Sequence, residues 1–433
     1  MAQNSRLPGF RNFLHSNQIN KKDHCFVKEL TSIGINNVPI IDEGIGAVQM
    51  KQQTLSIYRG KNVLITGHTG FKGGWLSLWL SELGASVYGY ALEPPTNPSL
   101  FNILGIEQVL INHQIADVRN ISELRRTISN VKPDIIFHLA AQSEVIESYE
   151  SPYDTVEINT MGSLNVLEAV RLSRLPMVVI MVTTDKCYEN KEWVYGYRET
   201  DPIGGYDPYS ASKGAAELLI SSWRNSFFHP SRLRQHGVRI ASVRAGNVIG
   251  GGDWTTNALV PDCIRSLQEN RAIPIRSPYA TRPWQHVLEP LSGYLELGKL
   301  LLDKNTQNIE SYCEAFNFGP SASSNKTVLQ LVEKVIHCWG AGQWERVLEN
   351  ETQHEATLLQ LCTEKAHHKL QWQSRWNFDD AVERTVEWYK VATNETSRLS
   401  EFTIDQIKKY MHDSPEELSK TNSEWNDTSK IYG

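Results

Sequence analysis

Two short stretches of this chain carry side chains suited to moving protons. In Tyr209-Ser210-Ala211-Ser212-Lys213 a phenol and an ammonium stand at i and i+4, on one face of a helix. A neighbouring ammonium favours phenolate and draws a tyrosine from its reference value of about 10 towards neutral pH. Such a phenol can take the proton of an alcohol whose carbon is losing hydride. In Val182-Thr183-Thr184-Asp185-Lys186-Cys187-Tyr188 a hydroxyl, a carboxyl and an ammonium follow one another at the end of an apolar run. They offer a hydrogen bond to a reacting oxygen and a proton donor or acceptor. A third stretch, Thr66-Gly67-His68-Thr69-Gly70-Phe71-Lys72-Gly73, spaces glycines as Gly-x-x-Gly-x-x-Gly between a strand pattern and a helix pattern. There the backbone can approach a pyrophosphate and the helix N-terminus supplies free N–H groups. Each stretch has an ordinary alternative: a solvated helix face, an aspartate capping the loop after a strand, a plain strand-to-helix turn. Their order along one chain favours the chemical reading.

The elements that must position them alternate. Lys61–Thr66 is a β-branched apolar strand, Gly74–Leu83 a helix, and Ser86–Leu92 the next strand, together a βαβ unit. The alternation continues with strands at Val109–Ile115, Asp134–Leu139, Met177–Thr183 and Val238–Val243 and helices at Ile121–Val131, Thr155–Leu172 and Tyr209–Trp223. Strands apolar almost throughout expect helices on both faces, so the fold class is α/β with a doubly wound parallel sheet. Beyond Ala245 glycine, proline and aromatic clusters separate helices near Val260–Gln268, Leu291–Leu302, Thr327–Cys338 and Ala381–Tyr389, which read as a smaller C-terminal substrate-binding lobe. The expected organisation is a polar N-terminal extension over 1–57, partly disordered, a nucleotide-binding lobe over 58–245, mainly the substrate lobe with segments returning to the first over 246–412, and a polar tail over 413–433.

Composition narrows the partners. The 433 residues carry 43 basic and 49 acidic side chains, a formal charge of −6, which argues against a nucleic-acid partner held by bulk positive charge. No apolar run approaches the ~18 residues of a membrane span. The six cysteines lie far apart without a Cys-x-x-Cys pair, so neither a disulfide framework nor a metal site is expected, and a cytoplasmic location is. The first residues lack the apolar core of a secretory signal.

Taken together, the glycine turn, Thr184 and the Tyr209/Lys213 pair resemble the extended short-chain dehydrogenase/reductases, which have a Rossmann sheet. Longer blocks are similar to CDP-glucose 4,6-dehydratases: Gly-His-Thr-Gly-Phe-Lys-Gly-Gly-Trp-Leu (67–76), Pro-Pro-Thr-Asn-Pro-Ser-Leu-Phe (94–101), Thr-Asp-Lys-Cys-Tyr-Glu-Asn (184–190), Gly-Gly-Tyr-Asp-Pro-Tyr-Ser-Ala-Ser-Lys-Gly (204–214), Arg-Ala-Gly-Asn-Val-Ile-Gly-Gly-Gly-Asp-Trp (244–254) and Arg-Pro-Trp-Gln-His-Val (282–287). The resemblance runs from about Tyr58 to about His412. It implies NAD on Gly67, Thr69, Gly70, Phe71, Lys72, Gly73, Asp117, Val118, Leu139, Ala140, Ala141, Thr183, Tyr209 and Lys213. It implies catalysis by Tyr209 as the base at the sugar 4-hydroxyl, Lys213 lowering its pKa, Thr184 on the 4-oxygen and Asp185 as acid for the 6-hydroxyl. Lys186 stands where related dTDP-glucose dehydratases carry the glutamate base for C5, and the base is left unassigned. Asn247, Arg276, Arg282, Trp284 and His286 would meet the substrate, CDP-glucose, and a homodimer or homotetramer follows by analogy. The net reaction would give a 4-keto-6-deoxy sugar nucleotide and water. A nucleotide-sugar 4-epimerase, or a dehydratase for dTDP-glucose or GDP-mannose, is the alternative, and a non-catalytic dinucleotide-binding protein a more distant one.

Two departures from the family pattern bear on specificity. The acid that usually ends the second strand and holds the adenosine ribose is replaced by Ala91 or Leu92, and Lys72 in the turn would suit a 2′-phosphate, so NAD over NADP rests on the resemblance. The segment Gln142–Tyr149 carries Glu144 and Glu147 where the family's usual Gln-Pro-Leu-Val-Arg-x-Ser-Tyr has no acid, which would weaken binding of an anionic substrate by like-charge repulsion.

Overall fold

The computed structural model describes residues 55–347 and 358–413; the expectations for residues 1–54 and for the tail beyond Asp413 lie outside them. Strand β1 (Asn62–Thr66), helix α1 (Phe71–Glu82) and strand β2 (Ser86–Ala91) form the first βαβ unit. There follow β3 (Asn112–Ile115), α2 (Ile121–Val131), β4 (Ile135–His138), α3 (Gly162–Ser173), β5 (Val178–Val182), α4 (Pro208–Ser226) and β6 (Arg239–Ala245). The later part contributes α5 (Leu259–Gln268), α6 (Leu288–Leu302), β7 (Ala315–Phe318), α7 (Val328–Trp339), α8 (Phe378–Asn394) and α9 (Leu399–His412).

The seven strands pair in the order β7-β6-β5-β4-β1-β2-β3, every pair parallel. Alternate residues of each strand go to opposite faces. Leu64, Ile136, Val179 and Ile240 join one buried cluster, while Val63, Ile65, Ile135, Phe137, Val178, Ile180, Ala241 and Val243 join the other. Helices bury both faces, which is why the strands read as continuous apolar runs. The strand order reverses between β1 and β4, and in open α/β sheets that switch point is where a ligand crevice opens at the carboxyl ends.

Four details differ from the sequence expectation. The Val109–Ile115 strand shrinks to β3, because Ile106–Val109 is a 3-10 turn and the strand lies at the sheet edge with a partner on one side only. The helix expected over Thr155–Leu172 passes through a π-helical turn at Glu157–Met161. β7, from within the 246–412 segment, adds a seventh strand beside β6. Helix α9 had no counterpart in the sequence reading; it covers α1, whose buried Trp79 donates to Met411 Sδ at 3.2 Å and stacks edge-on against Tyr410.

Candidate active site at the carboxyl edge of the sheet

The glycine turn follows β1 directly. Gly67 has φ +80°, and a Cβ there would lie 2.6 Å from the backbone N of Ala140; a Cβ at Gly73 would lie 2.0 Å from Gly67 O. Both positions need glycine, and the close approach brings the turn against Leu139-Ala140-Ala141 at the end of β4. Thr66 Oγ1 pairs with His138 Nδ1 at 2.7 Å and accepts from Ala140 N at 3.3 Å, and Thr69 Oγ1 donates to Leu92 O at 2.8 Å. These bonds fix the ends of β1, β2 and β4 around the amino end of α1. A concave backbone turn at a helix N-terminus over the switch point suits the pyrophosphate of a dinucleotide.

Across the crevice, α4 begins at Asp207, whose carboxylate accepts from Ser210 N at 2.8 Å and Ser210 Oγ at 2.6 Å. Its first turns carry Tyr209 and Lys213, both buried. A short 3-10 turn, Asp185–Cys187, follows β5 and presents Thr184, Asp185 and Lys186. The Tyr209 phenol hydrogen-bonds the Thr184 side chain, Thr184 Oγ1 donates to Asp185 Oδ1 at 3.0 Å, and Lys186 Nζ lies 5.9 Å from the Tyr209 ring centre. The structure thus brings all five expected catalytic side chains into one cluster.

Burial sets their protonation. Asp185, 2% exposed, is pushed above the usual carboxyl range by burial, against the pull of Lys186, the Thr184 hydrogen bond, Lys72 and Arg282. Its Oδ2 is buried with no hydrogen-bond partner among the described residues. The environment therefore favours a neutral acid with an oxygen to spare. Lys213 is lowered to about 8, by burial and then by the like charge of Lys72. Tyr209 corrects the sequence expectation: its phenol is raised, because burial outweighs the Thr184 hydrogen bond and Asp185, Asp207 and Cys187 add negative charge.

Other expected residues divide. Asn247 follows β6 by two positions, and Arg282 lies in a short strand paired to Asn325–Thr327 with its charge felt by Asp185. Arg276 is exposed just past the strand Ile273–Ile275. Asp117 binds Arg119 through its backbone N and guanidinium at 2.7–2.9 Å, and Val118 is a core residue against Gly162. Four expectations are corrected, those for Lys72, Thr183, His286 and Trp284. Lys72, lowered to about 8 by burial, has Asp185 and Asp253 as its charged neighbours, so its ammonium faces the catalytic cluster instead of an adenosine 2′-phosphate. The Thr183 hydroxyl is committed to Glu217 at 2.5 Å. His286 is a fully buried core ring edge-on to Trp75 and Trp376, and Trp284 donates its N–H to Lys326 O at 3.1 Å; neither joins the polar cluster.

The sequence reading missed three residues. Asn159, in the π-helical turn, exchanges hydrogen bonds with Gln142 (N to Oδ1 2.9 Å, Nδ2 to O 3.0 Å) and donates to Ser212 Oγ at 2.9 Å, and Ser212 Oγ donates to Tyr209 O at 2.7 Å. The extra residue of a π turn displaces a side chain from the helical register, a device frequent at functional sites. Glu217, four residues beyond Lys213 on α4, shares the spacing of Tyr209 and Lys213, but the partners that give it a role lie elsewhere in the chain. Asp253 lies in the 244–254 block but was given no role there; it comes near Lys72, where Trp75 Nε1 donates to Gly251 O at 3.0 Å.

Comparison with known proteins follows this geometry. The family model described as GDP-mannose 4,6 dehydratase matches residues 64–385. The CDP-glucose 4,6-dehydratase of Salmonella typhimurium is 49% identical over 336 residues, covering 77% of this chain and 92% of that protein. Among solved structures, a dTDP-glucose 4,6-dehydratase from Bacillus anthracis in complex with NAD has a TM-score of 0.62 at 21% identity, covering 77% of this chain and 97% of its own. A UDP-glucose 4-epimerase from Thermotoga maritima has a TM-score of 0.63 at 22% identity, covering 77% and 99%. At these identities the two structures report a shared fold, one that serves both dehydration and epimerisation.

Proposed function

The chain belongs to the GDP-mannose 4,6-dehydratase family of extended short-chain dehydrogenase/reductases, and from that premise we propose that it converts CDP-glucose to CDP-4-keto-6-deoxyglucose and water with NAD as its cofactor. The glycine cradle at the amino end of α1 fits a dinucleotide, with Gly67, Gly70 and Gly73 against the pyrophosphate and Leu139–Ala141, Tyr209 and Lys213 towards the other end. Held there, NAD would supply a hydride acceptor at C4 of the sugar and the hydride donor at C6. The chain's own residues do the rest. Tyr209 takes the proton of the 4-hydroxyl, and the fixed positive charge a bound nicotinamide would bring favours its phenolate, which burial and the nearby Asp185, Asp207 and Cys187 oppose. Thr184 holds the 4-oxygen. Once C4 is a ketone the C5 proton is acidified; a base removes it as the 6-hydroxyl departs and a proton returns to C5 when the hydride reaches C6, while Lys186 and Lys213 favour negative charge on the 4-oxygen between the two transfers. Asp185 gives its proton to the departing 6-hydroxyl, which leaves as water.

One observation carries dehydration over epimerisation: a buried carboxyl held towards its neutral form beside the phenol, with Oδ2 unpartnered. An epimerase needs no acid at C6. The same proposal gives the diphosphate to Arg282, Arg276 and Asn247, since the guanidinium fork is the fitting donor. A cytoplasmic homodimer or homotetramer is part of the same proposal, by analogy with the superfamily; no helix among the described residues is long and apolar enough to cross a membrane. Incubation with CDP-, dTDP-, GDP- and UDP-sugars, followed by mass spectrometry, is expected to show loss of water from CDP-glucose without added NADH. Intact CDP-glucose would overturn the proposal, and a 4-epimer in its place would establish the alternative.

A further inference from the structure

Beneath the catalytic cluster lies a buried ion pair that the mechanism does not use. Glu217 and Arg244 are 3% and 5% exposed at their side chains, with Arg244 Nη2 to Glu217 Oε2 at 2.8 Å. Glu217 also accepts from Thr183 Oγ1 at 2.5 Å and Ser242 Oγ at 2.9 Å. Burial alone would raise its pKa, but the Arg244 charge and these donors outweigh it and hold the carboxyl below its ordinary range. The other arm of the guanidinium, Nη1, donates to Tyr188 Oη at 2.6 Å, its carbon lies 4.9 Å from the centre of the Tyr188 ring, and Tyr188 Oη donates to Asn317 Oδ1 at 2.8 Å.

Thr183 and Tyr188 are the residues on either side of Thr184–Cys187, so one ion pair grips both ends of the turn that carries Thr184, Asp185 and Lys186. Glu217 belongs to the same face of α4 as Tyr209 and Lys213, at successive steps of four. We propose that Glu217 and Arg244 are positioning residues that brace the catalytic turn against α4 and keep Asp185 in place for the departure of the 6-hydroxyl. A buried ion pair is not a stability device in itself, since apolar groups of the same volume commonly do as well. What a carboxylate and a planar fork supply here is direction: four polar contacts of fixed geometry that tie β5, β6, α4 and the turn together.

The brace bears unequally on the two halves of the reaction. The Tyr209 end of α4 is held separately, by Asn159 to Ser212, Ser212 to Tyr209 O and Thr160 Oγ1 to Ser212 O at 3.0 Å. Among the described residues the side-chain hydrogen bonds of the turn bearing Asp185 stay within the turn and Tyr209, and its backbone has one further tie at its far end, Gly204 N donating to Cys187 O at 2.9 Å. Loosening the brace therefore spares removal of the 4-hydroxyl proton and impairs protonation of the leaving 6-hydroxyl.

This inference rests on the dehydratase reading for its kinetic arm only. The variants are Glu217→Gln, which keeps shape and removes charge, Arg244→Lys, which keeps charge and removes the fork, and Thr183→Val, a mild change that cuts one end of the brace and leaves the ion pair intact. Hydrogen–deuterium exchange on the full-length, cofactor-free protein is expected to show faster exchange over 184–188 with 209–213 unchanged. With CDP-glucose, water loss should fall by roughly tenfold to a hundredfold while reduced nicotinamide, read by its absorbance, builds up during turnover. An unchanged turn, or water loss and nicotinamide reduction falling in proportion in the folded variants, overturns the brace. If the wild-type protein dehydrates no sugar nucleotide, the functional proposal falls and the exchange measurement alone decides the brace.

Discussion

Gly246 and Asp185 share a space that has room for one of them to carry a side chain. A Cβ on residue 246 would lie 2.5 Å from Asp185 Oδ2 and 3.3 Å from its Cγ. Gly246 follows the last residue of β6, so the strand end is bare where the carboxyl of the catalytic turn rests on it. The unpartnered oxygen of Asp185 therefore faces backbone and a missing side chain.

Gly246→Ala is expected to displace the Asp185 carboxyl without unfolding the protein. The nearest atoms belong to the far end of one side chain, and the next, Pro283 Cγ, is at an ordinary 3.7 Å. Stability should fall by about 1–3 kcal/mol. Dehydration should fall by roughly tenfold or more, since a catalytic group moved by about 1 Å loses up to a hundredfold. Thermal unfolding and initial rates on the same sample check this; full activity would show that Asp185 Oδ2 plays no part.

The pH dependence of the free enzyme follows from Lys213, lowered to about 8 by burial and then by Lys72. Its ammonium is lost as pH rises through that value, so kcat/KM, which reports ionisations of the free enzyme, should decline on the alkaline side near about 8. Lys72→Met removes a like charge, which favours the ammonium and raises its pKa. The alkaline limb should move to higher pH. A limb that stays put, or moves to lower pH, would remove Lys72 from the electrostatics of the cluster.

A carboxyl far from the chemistry makes a stability prediction. Glu289, fully buried on α6, is raised to about 7 by burial, although it accepts from Trp376 N at 2.7 Å, Arg375 N at 3.0 Å and Tyr410 Oη at 2.7 Å. The folded protein thus holds this proton more tightly than the unfolded chain, where a glutamate titrates near about 4.3. Its contribution to stability is full below the unfolded value and is lost as pH rises towards the folded one. The melting temperature should decline between pH ~5 and ~7, and Glu289→Gln should flatten that decline. An equal slope in both proteins would assign the pH dependence elsewhere.

The doubly wound sheet was legible because a parallel sheet buried on both faces needs strands apolar throughout, as in Val63-Leu64-Ile65 and Val178-Val179-Ile180. Thr184, Asp185, Tyr209 and Lys213 were legible because they sit at the ends of such elements, where local spacing fixes the face. His286 was misread because a sequence block does not say which of its rings points to the core. Lys72 was misread for a related reason: the turn was clear, but the direction of a long side chain from its helix depends on Asp185 and Asp253, which arrive from other parts of the chain. Asn159 escaped because its role depends on a π turn, and Glu217 because its partners Thr183, Ser242 and Arg244 are distant in sequence.

Glu144 stands at the amino end of the short helix Val145–Glu150, where its side chain makes no capping hydrogen bond among the described residues. Its carboxyl is half-buried and raised by burial, then by the like charges of Glu147 and Asp253. The loop carrying it is tied through Gln142 and Asn159 to Ser212 and so to the Tyr209 helix, which places the charge beside the crevice an anionic sugar nucleotide must enter. Glu144→Gln keeps the shape and removes one repelling charge. The KM for CDP-glucose should fall by about twofold to fivefold at low ionic strength, and the difference should shrink at ~1 M salt, where the Debye length is about 3 Å. The sign with pH follows. Protonation of Glu144 relieves the repulsion, so the wild-type KM should fall as pH is lowered through its raised titration, while the KM of Glu144→Gln stays flat over the same range. A KM that rises in the variant would mean that the carboxylate accepts hydrogen bonds from the sugar, and Glu144 would then be a binding residue.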